Sequence, residues 1–372
     1  MNALRSFSAR ADVEAILARL GADRADVPVL QPADPFLDTA GEELRRRIFL
    51  SESETGEMLC LRPEFTIPVC LMHLDAGEDK RRYGYVGTVF RQRRAGGNEF
   101  LQAGIEDIGE TDRHAADARS LADALTFLRE FGVTAGISVT LGDQAVFNAV
   151  LAGLDLSPSA VVRLSHAFGD RDRLEAALAA LATPGAAPEV PADIQEPAEA
   201  GDRAALINAL NMRLRIAGLE ASGGRSADEI AERLLIRFRA AGEAADNAAL
   251  DVLRAFLSIR APLDRAADEL AEFAAARGLA MDETLAAFAG REQAIAAAGV
   301  DTGAVTYDAA FGRPLDYYTA LVYEVAAPDG AVLVGGGRYD RLLTMLGAGE
   351  AAPGVGFSVW LDRIAAQPEV ER

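Results

Sequence analysis

The chain has 372 residues, half of them hydrophobic and a quarter charged, with 37 basic against 57 acidic side chains and a formal net charge of −20. That length suits two or three domains with a generous core, and so acidic a chain repels nucleic-acid backbones. No apolar run reaches the roughly 18–20 residues that span a bilayer, and the N-terminal segment has no signal-peptide core, so a cytoplasmic protein is expected. Cys60 and Cys70, with the scattered His73, His114 and His166, show no ligand spacing. Reduced thiols, no metal and no cofactor are therefore expected.

In chain order, DVEAILARL (12–20) carries apolar residues at helical spacing. VPVLQPADPFLD is a proline-broken extended stretch. GEMLCLRPEFT alternates like a half-buried strand, which places Arg62, Glu64 and Thr66 on one side. YGYVGTVFRQRR and NEFLQAGIEDIG also alternate, joined by the short segment RAGGN, the pattern of an antiparallel hairpin. Arg91 falls in its first strand, and Gln102, Glu106 and Asp107 in its second. Thr111 or Asp112 offers an N-cap to a long helix that stops at Gly132, and GISVTLGD is a further strand.

From residue 147 to 300 the strand patterns vanish and stripes such as Val252, Leu253, Phe256 and Leu257 recur at helical spacing. Within it, TPGAAPEVPADIQEPAEAGD reads as a loop or linker. Strand patterns return at Ala304. DYYTALVYEVAA and AVLVGGGRYD flank a turn at Pro328 to Gly330, DRLLTMLG is helical, and GVGFSVWLDRI is a strand running into a helix. This order predicts an α+β fold: one antiparallel-sheet domain assembled from residues 1–146 and 301–372, with 147–300 as a helical insertion.

The chemistry is spread over several of these segments. GGGRYD lacks the Lys-Ser/Thr of a phosphate loop and reads as a glycine bulge where the backbone approaches something closely. A single charged residue on an antiparallel strand is ordinarily its solvated face. Here Glu64, Arg91, Gln102, Glu106, Arg313, Tyr317 and Tyr318 together supply two carboxylates, two guanidiniums, an amide and two phenols. That set suits a zwitterionic amino acid, with arginine forks for its carboxylate and acids for its ammonium.

LRPEFT, VFRQ with EFLQAGIEDIG, RPLDYYTALVYE, GGGRYDRLL and PGVGFSVWLDR resemble, in this order, the motifs of histidyl-tRNA synthetase, a class II synthetase. The resemblance implies a six- or seven-stranded antiparallel sheet flanked by helices and a homodimer, with Pro32 at the interface proline. It also implies that Glu64, Thr66 and Gln102 hold a histidine ammonium, that Glu106 with Tyr317 reads the imidazole, and that Arg313 binds the carboxylate, with Arg91 and Tyr318 nearby. Several departures stand beside it. The loop after Phe90-Arg91 is short and carries Asn98 and Glu99 where synthetases have a further arginine. Pro314 stands at a synthetase glycine, and a fold without an anticodon-binding domain is expected.

Trp360 occupies the position of the glycine that leaves room for adenine, three residues before Arg363. An indole there fills the slot, so Trp360 and Arg363 mark a blocked nucleotide site. An amino-acid site without activation resembles the regulatory subunit of ATP phosphoribosyltransferase, the enzyme of the first step of histidine biosynthesis. That resemblance implies a non-catalytic protein that partners a short catalytic subunit, is required for its activity and transmits feedback inhibition by histidine. The alternative is an amino-acid-activating ligase without the anticodon domain.

Overall fold

The computed structural model describes residues 7–39, 41–93, 97–182, 188–217, 226–239, 247–313, 315 and 317–367. Residues 1–150, 168–170 and 255–372 form one compact unit, and 151–167 with 171–254 form a second. Within the expected insertion, residues 255–300 thus belong to the first unit. The reason lies in buried partners: Phe288 meets Tyr307 edge-on, and Arg291 forms buried ion pairs with Asp117 and Asp143.

The first unit is built on a nine-stranded sheet. Its order is Asp23–Arg24, Arg81–Phe90, Glu99–Ile108, Gly354–Trp360, Val332–Arg338, Leu321–Ala326, Ser138–Asp143, Val305–Asp308 and Arg260–Pro262. The six strands from Arg81–Phe90 to Ser138–Asp143 pair antiparallel throughout, which is the class of sheet expected. Three short strands widen it beyond the six or seven expected, two of them through parallel pairs. Runs of two to four residues carry too little alternation to be read from sequence. Both expected hairpins are present: Tyr83 pairs with Glu106, and Tyr323 with Gly336.

The long helix is Arg113–Glu130, capped by the Asp112 side chain on the Ala115 N–H. With Asp282–Ala297 it covers one sheet face, where Arg338 and Arg291 converge on Asp117. Two guanidiniums against buried carboxylates hold up only because each charge has its partner. Cys60 and Cys70 are both buried and free. A separate three-stranded sheet, Leu30–Pro32, Met58–Leu61 and Phe49–Glu52, precedes helix Thr66–Ala76.

The LRPEFT reading needs correction. Its strand ends at Leu61 and a helix begins at Thr66. Glu64 accepts the Thr66 and Ile67 N–H groups at 2.6 and 2.9 Å, and Pro68, inside the first turn, has no N–H to satisfy. Arg62 turns away to the Val27 and Thr88 carbonyls.

In the second unit the proline-punctuated stretch is not all loop, since Ala192–Ala200 is helical with Pro197 inside it. The helix persists because Ile194 and Ala198 enter a core with Leu206, Leu210, Ala231 and Leu235. Among the described residues, no helix is long and apolar enough to cross a membrane, and no cluster of three or more His, Cys, Asp or Glu is placed to hold a metal ion.

Candidate amino-acid site

On the sheet face away from helix Arg113–Glu130, alternation aims side chains into a cavity of about 130 Å³. Gln102 comes from Glu99–Ile108, and Ser358 and Trp360 from Gly354–Trp360. Asp107, one residue out of phase, points to the opposite face and pairs with Arg82 and Arg119. Arg91 follows its strand directly, with its N–H still on the Asn98 carbonyl at 2.8 Å. Arg313, Tyr317 and Tyr318 come from the segment before strand Leu321–Ala326, not from the strand itself. Pro314 and Asp316 in that segment, and Arg94 in the earlier loop, lie outside the described residues.

The cavity wall contains Glu64, Thr66, Arg91, Gln102, Arg313, Tyr317 and Tyr318, seven of the eight expected ligand residues. Glu106 is the exception. It lies behind the wall, 1% exposed, accepting Thr66 Oγ1 at 2.8 Å, Tyr339 OH at 2.5 Å and Tyr85 OH at 3.4 Å. Burial pushes its carboxyl up to about 8, against the pull of those hydroxyls. Glu64 is raised too, chiefly by burial and against its two helix N–H bonds. Arg91 is lowered to about 10 by burial and holds the Pro63 carbonyl at 2.7 Å.

Glycines open the space. A Cβ at Gly335 would collide with the Arg313 guanidinium, and one at Gly356 with the Glu106 carboxylate. The GGG run is therefore a regular strand whose bare backbone admits other side chains, rather than the bulge expected at a strand end. Arg313 Nη1 also reaches Glu324 at 3.2 Å. The indole of Trp360 closes one side, with the Arg363 guanidinium 4.8 Å from its ring and that of Arg313 at 5.9 Å. Arg363 in turn donates to the Val332 carbonyl at 2.7 Å.

Sequence reasoning missed Leu44, Arg47, Leu315 and Ser358 in the wall. The triple arginine 45–47 was a visible signal for Arg47. Ser358 was legible as the residue two before Trp360 on an alternating strand. Three guanidiniums, a carboxylate, an amide and two phenols around one small cavity suit the two opposite charges of a free α-amino acid.

The histidyl-tRNA synthetase family model matches residues 1–234 and 227–364. Curated relatives are closer. An ATP phosphoribosyltransferase regulatory subunit of Mesorhizobium japonicum is 52% identical over 96% of this chain and 97% of its own. One of Allorhizobium ampelinum is 53% identical over 93% and 94%. This chain belongs to the ATP phosphoribosyltransferase regulatory subunit family. The regulatory-subunit fold agrees with solved structures. An ATP phosphoribosyltransferase regulatory subunit/histidyl-tRNA synthetase from Bacillus halodurans superposes with a TM-score of 0.64 at 19% identity, over 96% of this chain and 77% of that one. A histidyl-tRNA synthetase from Nostoc gives 0.62 at 16%, over 96% and 69%. The regulatory subunit thus carries a class II synthetase-like fold, a large antiparallel-rich sheet flanked by helices.

Proposed function

We propose that this regulatory subunit binds L-histidine in the cavity and conveys its presence to a short-form ATP phosphoribosyltransferase catalytic subunit as feedback inhibition. The subunit itself carries no catalytic step; the catalytic partner requires it for activity, in the cytoplasm. It acts as a homodimer through the sheet unit, with Pro32 at the interface, and residues 147–300, of which only 151–167 and 171–254 form a separate unit, are an insertion into the synthetase-like core. The observation that carries the reading is the meeting of seven expected ligand residues, from distant parts of the chain, around one cavity.

In this reading Gln102, Glu64 and Thr66 receive the ammonium, and Arg313 with Arg91 receives the carboxylate. Tyr317 and Tyr318 border the imidazole. Glu106 acts from behind Thr66, holding the hydroxyl that faces the ligand. Each charge-assisted hydrogen bond contributes about 1.5–3 kcal/mol, and amino acids that leave these groups unpaired are rejected. Trp360 fills the nucleotide slot, and Arg363, engaged by the Val332 carbonyl and the indole face, is held away from any phosphate.

Coupling to the partner requires only about 1–3 kcal/mol difference in histidine affinity between active and inhibited assemblies, and by reciprocity the partner's substrates weaken histidine binding. Calorimetric titration of the full chain tests the pocket. Saturable heat with L-histidine, lost in Arg313→Ala, is expected; an Arg313→Ala protein that binds as tightly as the parent refutes the assignment.

A further inference from the structure

Three buried polar atoms of the cavity-lining residues have no hydrogen-bond partner among the described residues: Gln102 Oε1, Arg313 Nε and Trp360 Nε1. Native interiors leave few such atoms unmet. Gln102 and Trp360 are 1% and 6% exposed, and they are direct partners in the antiparallel pairing of Glu99–Ile108 with Gly354–Trp360. Directly opposed residues present their side chains on the same sheet face. An amide oxygen and an indole N–H are complementary, yet here each is unpaired. Arg313 comes to the same wall from the neighbouring segment, its guanidinium carbon 5.9 Å from the indole ring. Gln102 Oε1 can take a donor, and Arg313 Nε and Trp360 Nε1 can each give a hydrogen bond to an acceptor.

We infer that Trp360 is a ligand-binding, specificity-determining residue whose indole N–H, beside the Nε–H of Arg313, holds the α-carboxylate of the bound amino acid. This rests on the histidine reading of the cavity given above. The ring then has two roles. Its bulk closes the nucleotide slot, and its edge recognises the effector. A carboxylate gripped by two fixed, buried donors is read by the protein rather than offered to a nucleotide. The ligand class is an α-amino acid with a free carboxylate; alcohol and ester analogues lack the group that these donors need.

L-Histidinol keeps the ammonium and imidazole of histidine and replaces its carboxylate by a hydroxymethyl group, and W360F keeps an aromatic ring while losing the N–H. In calorimetric titrations of the full chain, W360F is expected to bind L-histidine about tenfold more weakly than the parent, the scale of one hydrogen bond to a charged group. Histidinol is expected to bind both proteins equally. Undiminished histidine binding by W360F overturns the inference and leaves the histidine reading standing. Equal weakening toward both ligands marks a packing defect and overturns it as well. No saturable heat from the parent overturns the histidine reading and the inference with it.

A second measurement needs no variant. The chain has one tryptophan, hence one indole N–H resonance. Saturating L-histidine is expected to move it downfield and histidinol to leave it in place; an unmoved resonance at saturation with histidine contradicts the proposal.

Discussion

Gly335 and Arg313 occupy one another's space. A methyl group on Gly335 would fall on the guanidinium, and contacts that close force one side to move. Gly335→Ala is therefore expected to displace Arg313 and weaken L-histidine binding at least about tenfold, measured by calorimetry beside a melting curve that verifies folding. Glu106 supplies a second test at this scale. Its carboxyl is raised by burial to about 8, so the folded state holds a proton that the unfolded chain has released. Stability from this group is present below the unfolded carboxylate pKa and is lost as pH rises through about 8. Glu106→Gln removes that titration, and its melting temperature should fall less than the parent's between about pH 5 and about pH 8. An identical fall in both proteins would assign the slope to other groups, of which buried Glu64, raised in the same sense, is the first to examine. Trp360 gives a third reading: its fluorescence should respond to L-histidine and stay unchanged with ATP, while strong quenching at micromolar ATP would mean an open adenine slot.

At the scale of elements, helix Thr66–Ala76 depends on Glu64 for two of its N-terminal N–H groups. Glu64→Ala should cost about 1–3 kcal/mol in urea unfolding, a loss that a purely ligand-contacting residue would not show. Arg291 joins helix Asp282–Ala297 to Asp117 and Asp143. Arg291→Met leaves Asp143 without its buried counter-charge, while Asp117 keeps Arg338, and should cost about 3–5 kcal/mol by the same measurement. These elements show where sequence is informative. The hairpins, the long helix and its Asp112 cap follow from local period and capping chemistry, and they form as expected. LRPEFT alternates and so reads as strand, whereas the role of Glu64, accepting the Thr66 and Ile67 N–H groups at a helix start, depends on backbone donors that no pattern displays. Likewise Pro197 breaks a helical pattern locally but is outweighed by the apolar packing of Ile194 and Ala198. Arg291 gives no signal at all, since its partners lie 174 and 148 residues away.

For the whole molecule, the ordered motifs pointed to the sheet and to most of the residues that line the cavity, because charged, amide and phenol side chains stand out on otherwise apolar strands. The placement of Glu106 behind Thr66 was hidden, as depth from a cavity is a property of packing rather than of alternation. The net charge of −20 disfavours nucleic-acid partners. The most direct test of the central claim is inhibition of ATP phosphoribosyltransferase activity by L-histidine in the reconstituted complex of this chain with a short catalytic subunit, with parent chain and with Arg313→Ala. Inhibition by the parent complex, with the half-inhibitory concentration raised at least about tenfold in the variant while uninhibited activity is retained, is the expected result. Equal inhibition of the two complexes would place histidine sensing outside this cavity.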